Sequence, residues 1–251
     1  MLFYKTWFDT RWRFLIGLAL LGILACGGVF GYPSVLRLMP VAEKLDTTGP
    51  LGQVIKEAVE IQRTFRGYVW AQWVRQNLTQ MWTLFAILLG SGGLLSQASG
   101  GSAQFTLSLP VSRNEVLWTR AAMSLAQLLA LAILPFLIIP LIAPAIGQSY
   151  RLTDALVHGA CMFTAGTVFF SLAIFLSTLF ADLWRPLLIT CVVAVVLGVG
   201  ERVVGVGIFS VMTAESFFRA NTVPWAGLLT SVTISAALLY GAMTNFARQD
   251  F

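Results

Sequence analysis

Few side chains in this sequence are equipped for chemistry, and almost the only interior stretch that mixes charge, proline and a helix-start pattern is Phe105–Arg120, FTLSLPVSRNEVLWTR. Pro110 fixes its own φ and disfavours the α conformation at Leu109. Ser112 followed three residues later by Glu115 is a capping-box pattern, which opens a helix by satisfying orphan backbone N–H groups. An acid in the first turn also suits the helix dipole. Arg113 and Arg120 then sit near the start of that helix. The stretch predicts a short helix, a break at Pro110 and a capped helix behind it. A charged loop that merely separates two helices accounts for the same residues equally well.

Elsewhere the reactive inventory is thin. His158 is the single histidine, with no HExxH pattern, and its position near the start of an apolar run predicts an interface residue rather than a ligand. Cys26, Cys161 and Cys191 each lie inside an apolar run with no CxxC and no metal spacing, which predicts small buried residues. A Walker A loop needs a lysine after glycines, and none of Lys5, Lys44 and Lys56 follows one. No nucleophile–base or metal set is present, so the chain is expected to be neither an enzyme nor a holder of a cofactor. The net charge of +5 is spread over scattered positions, which excludes a nucleic-acid surface and fits basic residues at helix flanks.

The elements that must position these residues are apolar helices. The chain has 251 residues, 57% hydrophobic and 11% charged. A soluble domain carries about 25% charge, so lipid must be the main solvent here. The pattern predicts one all-α transmembrane domain over residues 1–251 with six spans, near 14–31, 68–95, 121–143, 155–180, 186–200 and 223–246. Residues 1–13 interleave Phe3, Tyr4, Trp7, Phe8 and Trp12 with Lys5, Arg11 and Arg13, which suits an interfacial helix. The first span has the form of a secretory signal, and ILAC at Cys26 that of a lipoprotein cleavage site. It is read as an uncleaved helix. Residues 32–67, punctuated by Pro33, Pro40 and Pro50, are expected to form a loop with an amphipathic helix over Leu51–Phe65.

Arg75, Gln76, Asn77, Thr79 and Gln80 stand inside the second span. A charge at the bilayer centre costs about 2.5–3.5 kcal/mol on insertion scales. Arg75 is therefore expected to snorkel to the interface, with a polar notch facing an internal cavity as the alternative. Gly159 and Gly166 suit close helix packing. Glu201 and Arg202 are expected to interrupt the fifth span, followed by a partly buried or re-entrant segment. Six spans put both termini on one side. That side holds Lys5, Arg11, Arg13, Arg113, Arg120, Arg185 and Arg248, which modestly favours a cytosolic placement.

The stretch LSLPVSRNEVLWTR resembles the intracellular segment between the second and third helices of ABC-2 type permeases, the membrane subunits of ABC exporters. The match runs through Gly100, Leu107, Ser108, Leu109, Pro110, Val111, Ser112, Arg113 and Arg120. The N-terminal aromatic-basic segment, the six spans and the tail residues Phe246, Arg248 and Asp250 are similar to the family as well. One departure is Gln97, where many relatives carry an acid; no carboxylate lies between Met81 and Ala103. The resemblance implies that residues 96–120 form a cytosolic coupling segment with a short helix near Gln104–Leu109. Gln104, Phe105, Thr106, Leu107, Ser108, Leu109, Pro110, Arg113, Glu115 and Arg120 would then meet a separate ATP-binding cassette subunit that carries the ATP and Mg.

It further implies a dimer with a second permease subunit, identical or not, in a bacterial inner membrane, with cytosolic termini and residues 32–67 outside. A self-sufficient secondary transporter or channel, and a non-transporting membrane anchor, remain as other readings of the same composition. Trp70, Trp73, Trp82 and Trp225 suit a hydrophobic or amphipathic cargo, and suit a lipid-facing surface equally well.

Overall fold

The computed structural model describes residues 2–43, 50–91, 113–180 and 182–248. Among the described residues every regular element is helical. Five helices are long and apolar enough to cross a membrane. They are α1 (Leu2–Glu43), α4 (Arg113–Ile142), α5 (Leu152–Leu179), α6 (Trp184–Val204) and α9 (Trp225–Ala247). An all-α chain with several such helices agrees with the class expected from composition.

Helix α1 is continuous for 42 residues. No break falls at Arg13, so the residues expected to form a separate interfacial helix are the first turns of α1. Phe3, Tyr4, Phe8 and Trp12 are exposed on them. Nor does the helix stop at Gly31; it carries Pro33 and Pro40 within it. Proline removes one backbone donor and crowds the preceding turn, and contacts either side of Pro33 outweigh that. Leu21, Ala25, Val29 and Tyr32 form a buried stripe at helical spacing. Tyr32 donates its hydroxyl to the Arg63 carbonyl at 2.9 Å and packs its ring on Phe65 and Tyr68. Val35 packs on the same core beyond the proline.

Helix α2 (Pro50–Gln62) is the amphipathic element expected over Leu51–Phe65, with Lys56, Glu57 and Glu60 exposed. Thr64 then caps the next helix, its Oγ1 accepting from the Gly67 N–H at 3.1 Å. That helix, here α3, is composite. It has an α turn at Phe65–Tyr68, a π segment at Val69–Leu78 and an α segment at Thr79–Gly90. The side chains of Asn77, in the π segment, and of Thr79, just past it, donate to the carbonyls of Gln72 and Val74, each five residues back. Such bulges inside α-helices are frequently found at functional sites.

Helix α5 is the centre of the bundle, buried on most of its surface and packed against α3, α4 and α9. Small residues allow this. A Cβ at Gly166 would overlap the indole of Trp82 on α3, and one at Gly159 would come 3.2 Å from the Ala132 carbonyl on α4. Trp82 is fully buried and donates to the Leu128 carbonyl at 3.1 Å, so one indole joins α3, α4 and α5. Phe136, Phe169 and Phe170 are fully buried in the same core.

Glu201 and Arg202 do not interrupt α6; they form its last turn. Gly205, at φ 79°, ends the helix. The carboxylate of Glu201 instead accepts the N–H groups of Phe209 and Ser210 at the start of α7 (Ile208–Met212). The segment expected to be a loop with a partly buried or re-entrant part is two short helices, α7 and α8 (Glu215–Ala220). Their junction, Met212–Ala214, is buried against α5.

Hydrogen bonds between helices set the alternation of the bundle. Arg13 on α1 donates to Leu88 near the end of α3, and Gln127 on α4 donates to Thr10 on α1. Asn245 on α9 donates to Thr178 at the end of α5. At the opposite end Arg66 pairs with Asp154, and Arg219 with Glu57. The start of α1 and the end of α9 therefore lie on the same side of the bundle.

Candidate functional site

Three groups of polar residues stand out, one at each end of the bundle and one half-way between. The first surrounds the segment singled out in the sequence. Gln104, Phe105, Thr106, Leu107, Ser108, Leu109 and Pro110 lie outside the described residues, as does Ser112. Arg113 opens α4, and Glu115 is exposed in its first turn. Arg120, one face further along, is half-buried beside Arg13 and Asp9 of α1. Arg13 itself donates Nη1–H to the Leu88 carbonyl at 2.9 Å. The last carbonyls of a helix have no partner within it, and a cation there also suits the helix dipole. Gln127 Nε2 donates to Thr10 Oγ1 at 2.8 Å. The residues on both sides of 92–112 are thus held to α1, the preceding end by Arg13 and the following helix by Gln127.

The second group, at the other end, was missed in the sequence. Asp154 is buried, and Arg66 Nε donates to its Oδ2 at 2.7 Å. The Arg66 guanidinium also lies over the rings of Phe217 and Phe218. Tyr150 is buried beside Phe65, with no hydrogen-bond partner for its hydroxyl among the described residues. Burial raises its pKa, the nearby Asp154 charge adds to that, and Arg66 opposes it.

His158 is not the interface residue expected but a core residue, 1% exposed, between Phe136 and Phe217. Its Nδ1 lies 3.0 Å from the Thr213 carbonyl. A carbonyl can only accept, so Nδ1 carries the proton and Nε2 is a bare acceptor. The same carbonyl accepts the indole N–H of Trp70 at 3.1 Å. Trp70 stacks on Phe218 with centroids 4.3 Å apart. The only advance signal was the i, i+4 spacing of Asp154 and His158, which puts them on one helix face.

The third group lies on α3. Gln72, Gln76 and Gln80 follow at intervals of four, with Arg75 beside Gln76; Arg75, Gln76 and Gln80 are exposed. A groove of about 290 Å³ opens beside Gln72 between α1 and α3, lined by Gly27, Gly28, Tyr68, Gln72, Trp73 and Asn77. The two ends of the bundle give a ruler. Arg13 meets Leu88 at one end and Tyr32 meets Arg63 at the other. Between Arg13 and Tyr32, α1 rises about 28 Å, close to the roughly 30 Å of a bilayer's hydrocarbon core. The groove falls beside Ile23–Val29, in the half of that rise nearer Tyr32. Arg75 falls near the middle of α3, its guanidinium 5.6 Å from the Trp70 ring centroid.

Among the described residues no group of histidine, cysteine and carboxylate side chains is suited to a metal. Cys161 is buried, and Cys26 and Cys191 are half-buried. Comparison with protein-family models, with curated proteins and with solved structures gives no match to this chain.

Proposed function

We propose that this chain is the membrane-spanning permease subunit of an ATP-driven ABC exporter of the ABC-2 type. In this reading it spans a bacterial inner membrane six times, α3 being the sixth crossing. The π segment and the glutamine–arginine face keep α3 from reading as a plain apolar span. Both termini and residues 92–112 face the cytosol, and two permease subunits enclose the path of an amphipathic cargo. The segment Gln104–Pro110 meets the ATPase subunit, and the ATP and Mg reside there.

The observation that carries the reading is the sequence LSLPVSR running directly into a helix that begins at Arg113. The structure supports it in a further respect. The helices flanking this segment are both held to α1, so force applied to the segment would reach three helices at once.

The test is co-purification with an ATP-binding cassette protein encoded beside this chain. Association is expected for the native sequence and lost when Leu107 and Leu109 are both replaced by Asp. Unchanged association in that double variant overturns the docking role. Export that continues with no ATPase present would instead favour a self-sufficient transporter, for which Arg75 and the Asp154–His158 pair are the ionisable groups at hand.

A further inference from the structure

We infer that the α3 face built from Gln72, Arg75, Gln76 and Gln80 is one wall of a water-filled passage, and that Arg75 there receives an anionic group of the solute. Three observations on different footing converge. The first is exposure combined with depth. Arg75, Gln76 and Gln80 are exposed on the bundle, yet lie along the middle of a helix whose ends are marked by Arg13–Leu88 and Tyr32–Arg63. Lipid cannot hydrogen-bond a guanidinium and two primary amides, so ionisable side chains in spans face protein interiors or water. The neighbouring outer faces behave differently. On α6 the residues Val192, Val195, Val196 and Val199 are exposed and wholly apolar, as a lipid-facing helix should be.

The second observation is charge. Among the described residues no carboxylate pairs with Arg75, and its guanidinium lies over the electron-rich face of Trp70. A lone cation in a low-dielectric wall raises the local concentration of anions. The glutamines on either side add amide donors along the same line, suited to carboxylate, phosphate or sulfonate oxygens.

The third is the backbone. The π segment covers Val69–Leu78 and so includes Gln72, Arg75 and Gln76. Asn77 turns its amide back onto the Gln72 carbonyl and leaves the face to Gln72, Arg75, Gln76 and Gln80. The helix is therefore irregular where the polar face is, and regular where it packs on α5 through Trp82 and Gly90.

This extends the proposed export function by naming an anionic amphiphile as the kind of solute. It does not require an ATPase partner, so a chain that fails the co-purification test can still pass the one below. Cys26 and Cys191 are replaced by Ala, buried Cys161 is retained, and single cysteines are placed at Gln76, at Gln80 and, as a lipid-facing control, at Val195. The full chain is reconstituted in phosphatidylcholine vesicles, which carry no net charge. It is then treated with water-soluble thiol reagents that differ only in bearing a sulfonate or a quaternary ammonium group.

Cysteines at 76 and 80 are expected to react at least about tenfold faster than the one at 195. The sulfonate reagent is expected to outpace the ammonium reagent at 76 by about tenfold, the low end of what a focused charge gives. Arg75→Lys should keep that preference and Arg75→Gln abolish it. Labelling at 76 and 80 no faster than at 195 overturns the passage. A charge preference unmoved by Arg75→Gln overturns the anion site. A preference that vanishes when phosphatidylglycerol is added assigns Arg75 to a lipid headgroup and likewise overturns it.

Discussion

Gly166 shows how a single absent side chain holds this bundle together. Its Cα faces the Trp82 ring so closely that a methyl group would overlap it, and that indole is fully buried and hydrogen-bonded to Leu128. Gly166→Ala is therefore expected to destabilise the fold by about 1–3 kcal/mol, the usual cost of overpacking. The thermal midpoint of the purified protein in detergent checks this, and an unchanged midpoint refutes it. Tyr150 makes the opposite case, a buried hydroxyl with no partner among the described residues. Its folded-state pKa is raised by burial above the ordinary 10.0. A group with a raised pKa contributes its full stability below the unfolded value and loses it as pH climbs beyond. Unfolding followed from pH 8 to 11 (roughly the range where an ordinary tyrosine ionises) should thus show a smaller alkaline loss in Tyr150→Phe. At neutral pH that variant should be as stable as the native chain or more so. The Gly166 packing was partly legible as small residues in an apolar run. The Tyr150 environment was not, because nothing in residues 145–151 indicates which rings will close over it.

At the scale of elements, α7 and α8 illustrate what local pattern reading leaves out. Each is shorter than two turns, and isolated helices of that length are not stable in water. Partners distant in sequence hold them: Glu201 on the first N–H groups of α7, Trp70 and His158 on the Thr213 carbonyl, Trp70 stacked on Phe218. Ala214 sits at φ 50°, a left-handed conformation tolerated because its neighbours enclose it. Arg66 and Asp154 brace the same region. Asp154→Asn should cost about 3 kcal/mol, at the low end for a buried pair because Arg66 is partly exposed. Arg66→Gln should cost as much, since it leaves a buried carboxylate alone. The double variant should recover part of the sum, and a double-mutant cycle on thermal unfolding reads that coupling. Strict additivity would show that the pair contributes nothing. Helix α1 teaches the converse. Proline positions and a charge-rich flank predicted three pieces, and packing of Tyr32 and Val35 keeps them one.

For the whole molecule, the decisive quantity is which side of the membrane each end occupies. The alternation set by Arg13–Leu88, Gln127–Thr10 and Asn245–Thr178 groups the start of α1, the start of α4 and the end of α9. Lys5, Arg11, Arg13 and Arg120 share that end, and basic residues favour the cytosol. A cysteine introduced beside Arg113 is therefore expected to be shielded from membrane-impermeant reagents in intact cells. One beside Glu57, on α2 at the opposite end, should label. The reverse pattern overturns the orientation, and with it the cytosolic placement of residues 92–112.

Composition and apolar periodicity alone determined an all-helical chain with several lipid-soluble helices. The positions of α5 and α9 followed to within a few residues, because those signals are local and repeat every turn. The same local chemistry marked Ser112–Glu115 as a helix start, and α4 begins at Arg113. Tertiary structure alone decided that His158 is a core residue and that α7 and α8 fold back onto α5. It also decided that Arg75, Gln76 and Gln80 are exposed near the middle of α3. Each of these depends on which helices become neighbours. That is set by shape and by hydrogen bonds between residues far apart in the chain, and no window of sequence contains both partners.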